Sequence, residues 1–168
     1  VVISVFIKLD SAGPVFFAQR RAGANDREFL MYKFRTMAVG TPELATDKLE
    51  NSGAYITKVG RYLRKYSIDE LPQLLNILHG DMSLVGPRPA LFNQYQLRAM
   101  RNNLSIAKLK PGLTGWAQIN GRDEIPLQAK VEYDLYYLHN RNFLLDMVIM
   151  YRTLLKMHTG DRVRVTTD

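Results

Sequence analysis

Ser67-Ile68-Asp69-Glu70-Leu71-Pro72-Gln73-Leu74-Leu75-Asn76 sets two adjacent carboxylates directly ahead of an apolar repeat. Leu71, Leu74, Leu75 and Leu78 follow the i, i+3, i+4, i+7 spacing of an amphipathic helix. His79-Gly80-Asp81 supplies its stop, Gly80 being a natural C-terminal cap. Two starts compete. Ser67 and Glu70 have capping-box spacing, but Ser67 as N-cap makes Pro72 the fifth helical residue, where it removes a hydrogen bond. With Asp69 as N-cap, Pro72 falls in the first turn and costs little. Both starts put the carboxylates at a helix N-terminus just after Lys58, Arg61, Arg64 and Lys65. Acidic groups are favoured there on electrostatic grounds, so a helix cap and a chemical site both account for the pair.

Upstream, Val15–Arg21 and Phe29–Met37 are rich in aromatic and β-favouring residues, and Ala22-Gly23-Ala24-Asn25-Asp26 lies between them. That pattern predicts a hairpin. In its second arm Tyr32, Phe34 and Thr36 alternate with Lys33, Arg35 and Met37, so one face buries aromatics while the other offers two cations. Ser11-Ala12-Gly13-Pro14 predicts a turn, and residues 38–53 a surface loop around a short helix. Val1–Ile7 is apolar but far shorter than the roughly 20 residues that span a bilayer. It reads as the tail of a longer apolar segment or as a buried strand.

Downstream, Gly86-Pro87-Arg88-Pro89 predicts a rigid extended turn, because each proline restricts its own φ and the residue before it. Such a backbone suits presentation of a planar guanidinium to phosphate, although a solvated arginine in a turn fits as well. Residues 91–104 predict a helix, residues 110–115 a loop, and residues 125–139 and 143–157 two further helices. The last is apolar over more than half its circumference, so it packs deeply or lies against something apolar.

The 168 residues suit one domain: 46% are hydrophobic and 23% charged, within the ordinary globular range. Cysteine is absent, which excludes disulfides and thiolate metal sites. Lys and Arg total 23 against 16 Asp and Glu, a balance of +7 that suits nucleic acid, anionic lipid or a nucleotide, or simply a well-charged surface. Neither a P-loop nor a dinucleotide fingerprint is present. His79, His139 and His158 are scattered out of metal-ligand spacing, and there is no Gly-x-Ser-x-Gly elbow.

Five segments occur together in one order: residues 8–17 (KLDSAGPVFF), 32–37 (YKFRTM), 69–76 (DELPQLLN), 80–89 (GDMSLVGPRP) and 110–121 (KPGLTGWAQING). In this the chain resembles the bacterial sugar transferases, the monotopic polyprenyl-phosphate phosphoglycosyl transferases, over residues 1–157. The resemblance implies a small compact α/β catalytic domain with an N-terminal hairpin and amphipathic helices, followed by a polar tail over 158–168. It implies a place on the inner face of the bacterial cytoplasmic membrane, with the family's re-entrant membrane helix largely missing ahead of Lys8.

The reaction implied is transfer of a sugar-1-phosphate from a UDP-sugar to polyprenyl phosphate with release of UMP, opening the assembly of exopolysaccharide, lipopolysaccharide or capsule. By the same resemblance Asp69 is the nucleophile and Glu70 its catalytic neighbour, which helps hold Mg²⁺ or Mn²⁺. Arg88, Lys33 and Arg35 bind phosphate, Asp134 is an acid near the site, and Gln118 and Asn120 line the sugar or nucleotide pocket. The alternative is a non-catalytic basic module on anionic membrane or nucleic acid. The cations, however, are interleaved with acids and Gly-Pro turns rather than arrayed as a stripe or stacking platform, and no nucleic-acid partner is expected.

Overall fold

The computed structural model describes residues 1–42, 52–121 and 125–159. The chain opens as a helix, α1 (Val2–Asp10), in place of a strand. Ile7 alone of its residues is buried, and Val2, Val5, Phe6 and Leu9 face outward. Asp10 ends α1 by accepting a 2.8 Å bond from the Val59 N–H, which ties it to α3 (Lys58–Lys65).

The expected hairpin is present as β1 (Phe16–Ala22) and β2 (Glu28–Phe34), in register from Phe16 opposite Phe34 to Ala22 opposite Glu28. A 3₁₀ turn at Ala24–Asp26 joins them. After Phe34 the chain leaves the ladder and bridges at Met37 to Ile56, beyond the one-turn helix α2 (Ser52–Tyr55). The rest of the expected loop, residues 43–51, lies outside the described residues, as does the tail from residue 160.

Residues 67–78 fold differently from either expected start. Ser67 adopts a left-handed conformation (φ 56°), makes no capping bond with its side chain, and leads into a 3₁₀ turn at Ile68–Glu70. The α-helix itself, α4 (Gln73–Leu78), begins only after Pro72, so the proline interrupts no helical ladder. Gly80, at φ 85°, follows its end.

The helix is also turned around: Gln73 and Asn76 are buried, while Leu71, Leu74, Leu75 and Leu78 are exposed. The reason is a backbone partner. Asn76 accepts from the Tyr32 N–H at 3.1 Å and donates to the Leu30 carbonyl at 2.7 Å, acting as a surrogate strand along the edge of β2. The two bonds give partners to backbone groups on the edge of β2 that faces away from β1.

Beyond α4 lie β3 (Ser83–Val85), α5 (Tyr95–Asn103), a 3₁₀ turn at Ile106–Lys108, and β4 (Gly112–Thr114). Residues 110–115, expected as a loop, therefore contain a strand, paired in parallel with β3 through Ser83–Gly112 and Val85–Thr114. Only glycine fits at this join: a Cβ on Gly112 would stand 2.1 Å from the Gly86 nitrogen, and one on Gly115 2.1 Å from the Gly86 oxygen. The short α6 (Trp116–Asn120) and the two long helices α7 (Leu127–Asn140) and α8 (Phe143–Thr159) complete the fold, the latter two close to where periodicity placed them.

The core has two parts. Val85, Leu109, Ile119, Tyr137 and Ile149 form one, and Ala90, Leu97, Ile106 and Val131 the other, with Leu138 of α7 packed against both. The architecture is mixed α/β with two small sheets, and none of the described helices is long and apolar enough to cross a membrane.

Candidate active site

Three elements meet at the carboxylate pair. The 3₁₀ turn carries Asp69, buried to 7% exposure, and Glu70. From β2 comes Lys33, its Nζ 3.1 Å from Glu70 Oε1 and donating a hydrogen bond to it. The Pro87-Arg88-Pro89 segment contributes Arg88, with Nη1 3.7 Å from the same oxygen. Asn76 holds the strand edge one residue from Lys33, so the inverted α4 helps fix this ammonium.

A further cation comes from α3. The Thr57 side chain caps this helix on the Gly60 N–H at 3.0 Å. Gly60 lets α3 press onto the chain, since a Cβ there would come 2.1 Å from the Thr36 carbonyl oxygen. The approach carries Arg64 inward, where Nε donates to Thr36 Oγ1 at 3.1 Å. Burial pulls the Arg64 pKa down, and the opposing attraction comes from Asp69 first and then Glu70. Burial likewise lowers the Lys33 pKa, opposed chiefly by Glu70 and also by Asp69. These cations are partly stripped of water, and the two carboxylates stabilise their charged forms.

The arginine segment is held through its backbone. The Pro87 carbonyl accepts from the Gly112 N–H at 2.9 Å, and the Pro89 carbonyl from Arg21 Nη1 at 2.9 Å. The Ala90 carbonyl accepts from the Ala22 N–H at 2.9 Å, and the Arg88 carbonyl from Arg101 Nη1 at 2.8 Å. Four consecutive carbonyls thus take donors from β4, β1 and α5.

The remaining expected residues divide. Arg35 is set apart from Lys33: it is buried at 5%, and Nε, Nη1 and Nη2 donate to the carbonyls of Pro14, Ala12 and Ser11. It joins the end of β2 to the turn after α1. Asp134, at 1% exposure, takes two bonds on one oxygen from Arg101, at 3.0 and 2.6 Å. Burial pushes its carboxyl up and Arg101 opposes that rise. On α6 the Gln118 amide has both polar atoms buried without a partner among the described residues, while Asn120 is exposed and donates to the Trp116 carbonyl of its own helix.

Sequence reasoning had Arg64 only as one of four cations in a basic run, and it missed Arg101. Arg101 pairs with a residue 33 positions away and carries no local signal.

Asp69 and Glu70 are hard oxygen donors, and no group of three or more His, Asp or Glu side chains converges among the described residues. Such a pair fits Mg²⁺, which is commonly held by one or two carboxylates plus substrate phosphates and water rather than by a protein cage.

Residues 1–160 match the family model described as bacterial sugar transferase. Among curated proteins, the uncharacterized sugar transferase EpsL of Bacillus subtilis is 43% identical over 95% of this chain and 78% of its own length. A UDP-glucose:undecaprenyl-phosphate glucose-1-phosphate transferase of Xanthomonas campestris is 41% identical over 94% of this chain. A UDP-N-acetylgalactosamine-undecaprenyl-phosphate N-acetylgalactosaminephosphotransferase of Aeromonas hydrophila is 38% identical, also over 94%. The chain spans 34% and 38% of the lengths of these last two.

Proposed function

The chain belongs to the bacterial sugar transferase family, and on that premise we propose that it transfers a sugar-1-phosphate from a UDP-sugar to undecaprenyl or a similar polyprenyl phosphate. The observation that carries the proposal is the meeting of Asp69 and Glu70 with Lys33, Arg64 and Arg88, a carboxylate pair set among cations.

In this reading the cations draw in the diphosphate and offset its charge, so that the anionic Asp69 carboxylate can approach phosphorus. An Asp69 oxygen attacks the sugar-proximal phosphorus while the bond from that phosphorus to the bridging oxygen breaks, and UMP leaves with the electron pair. The phospho-sugar is left as an acyl phosphate on Asp69. A phosphate oxygen of the polyprenyl phosphate then attacks the same phosphorus, which frees the carboxylate and yields the polyprenyl diphosphate sugar. Two bulky substrates from different phases thereby use one site in turn.

Glu70 serves two ends: it orients Lys33 and Arg88, and it would help hold Mg²⁺ or Mn²⁺. When bound, the metal would neutralise diphosphate charge and stabilise the leaving phosphate. Lys33 and Arg88 meet the phosphate oxygens, Arg88 through a planar fork matched to them. Gln118 has amide groups to offer a sugar or base.

A polyprenyl acceptor and a water-soluble UDP-sugar would meet at a membrane surface, and the proposal extends to the cytoplasmic face of the membrane. The outward leucines of α4 and the exposed apolar residues of α1 and α8 support that placement. Burying such side chains at the lipid boundary is worth ~25 cal/mol per Å². Co-sedimentation of the intact protein with anionic vesicles tests it: binding should persist through a high-salt wash, and complete release by salt would mean an electrostatic attachment only.

The relatives' names carry different sugars, glucose and N-acetylgalactosamine, so the donor is open. The function is tested by offering the intact protein a panel of UDP-sugars with undecaprenyl phosphate and reading UMP release. One sugar should give UMP and a lipid-linked product in equal amounts. Release of UDP instead of UMP would contradict the reaction.

A further inference from the structure

Arg88 sits on an unusual backbone. Pro87 and Pro89 fix their own φ, and Pro89 also confines Arg88 to extended conformations. The peptide plane that follows Arg88 belongs to the residue that bears the guanidinium, so its orientation sets the direction from which that side chain departs. The carbonyl of that plane is bound by Arg101 Nη1 at 2.8 Å.

Arg101 lies at 7% exposure, and its other two nitrogens, Nε and Nη2, are engaged by one oxygen of Asp134 at 3.0 and 2.6 Å. The Asp134 carboxylate therefore does two things. It neutralises a buried cation, and it locks the rotation of the guanidinium plane so that the third nitrogen is aimed at the Arg88 carbonyl. Neighbouring side chains of α5 and α7, Leu97 and Val131, belong to an apolar cluster, so the ion pair is embedded in hydrophobic packing. Buried pairs of this kind are commonly replaceable by apolar side chains without loss of stability. An apolar pair cannot supply the bond to Arg88.

We propose that Arg101 and Asp134 are positioning residues for Arg88: the buried pair clamps the Arg88 carbonyl and so aims its guanidinium at Glu70 and the incoming diphosphate. The inference rests on the transferase reading above for its consequence in turnover. It gives Asp134 a role without contact to substrate, where the resemblance implied only an acid near the site.

The test is a mutant cycle on the intact protein, with the variants Arg101→Met/Asp134→Leu together, Arg88→Ala alone, and all three combined. Thermal unfolding is recorded for each, alongside UDP affinity by calorimetry and kcat/KM by UMP release. The Met/Leu pair should melt at or above the parent temperature, yet lose about 10- to 100-fold in UDP affinity and in kcat/KM, as expected for a misplaced group. In the Arg88→Ala background the same pair should change UDP affinity less than about twofold, because the group being aimed is gone.

Equal losses with and without Arg88 would overturn the proposal, as would unchanged UDP affinity in the folded Met/Leu variant. Should that variant fail to fold, Arg101→Lys keeps the ion pair, removes the forked third donor and takes its place in the cycle. The affinity arm needs no turnover. A protein that shows the coupling in UDP affinity but releases no UMP from any UDP-sugar would keep the clamp and lose the transferase reading.

Discussion

Two charge clusters on this chain follow different arithmetic. At the hairpin loop, Asp26 and Glu28 face Arg98 and Arg20, with separations of 2.8 Å for Asp26–Arg98, 3.5 Å for Glu28–Arg98 and 3.8 Å for Glu28–Arg20. Each acid has a cation; the Glu28 and Arg20 side chains are 41% and 61% exposed, those of Asp26 and Arg98 29% and 16%. At the other cluster Asp69 and Glu70 face Lys33, Arg64 and Arg88, and the Glu70 and Lys33 side chains are 12% and 18% exposed. The first is balanced, and its Glu28–Arg20 pair lies in water, where ion pairs contribute little and salt screens them. The second is weighted toward positive charge and largely desolvated, an arrangement that is costly by itself and favourable once an anion arrives. Excess positive charge around the carboxylates, rather than charge as such, separates the candidate site from the matched cluster.

The sharpest way to break this contrast is at Asp69. Asp69→Asn should lower kcat by on the order of 10⁴-fold or more, since an amide cannot form the acyl phosphate, while thermal unfolding stays near that of the parent. Retained turnover would return the pair to the status of a helix-turn feature. Metal removal comes next: excess chelator should abolish UMP release and added Mg²⁺ or Mn²⁺ restore it, because the donors at hand are hard oxygens. Full activity in chelator would show that the cations suffice.

Arg88→Ala should cost about 10²- to 10³-fold in kcat/KM, the scale for losing one oriented charge at a transferring phosphate. A loss confined to KM would assign Arg88 to uniform binding.

The matched cluster should respond least. Arg98→Ala removes two bonds to Asp26 and one to the Phe92 carbonyl, and is expected to cost about 1–3 kcal/mol in stability, read by denaturant unfolding, while changing kcat/KM less than about twofold. Its pH signature is also defined. Arg98 holds the Asp26 carboxyl below its ordinary value, so the stabilisation is full above that value and is lost as pH falls through the lowered folded pKa. Arg98→Ala should remove that part of the acid limb, and an unchanged limb would show that Asp26 draws its stabilisation elsewhere.

How far the sequence revealed all this depends on the reach of each signal. The hairpin, α7 and α8 were legible because alternation and a 3.6-residue period are local patterns. The α4 leucines were legible as a stripe, but their direction was not. Asn76, one amide reaching two backbone groups on β2, turned the helix over. β4 was hidden in a Lys-Pro-Gly stretch, because its partner is β3 and its fit depends on glycines packed against Gly86.

At the site, motif resemblance brought out Asp69, Glu70, Lys33 and Arg88, which the fold joins. The resemblance grouped Arg35 with Lys33, but the next turn of backbone sends its guanidinium to three carbonyls of the Ser11–Pro14 turn instead. Arg101 was invisible because its meaning lies in Asp134 and the Arg88 carbonyl, both far along the chain.

In the proposed reaction Asp69 carries the phospho-sugar between two substrates. The direct measurement is to mix the intact protein with its UDP-sugar radiolabelled at the sugar-proximal phosphate, omit polyprenyl phosphate, quench, and map the label by peptide. Stoichiometric UMP release is expected, with label on the peptide containing Asp69 and loss of that label when polyprenyl phosphate is added. Label on another residue, or full turnover with no labelled protein at any time, would contradict it.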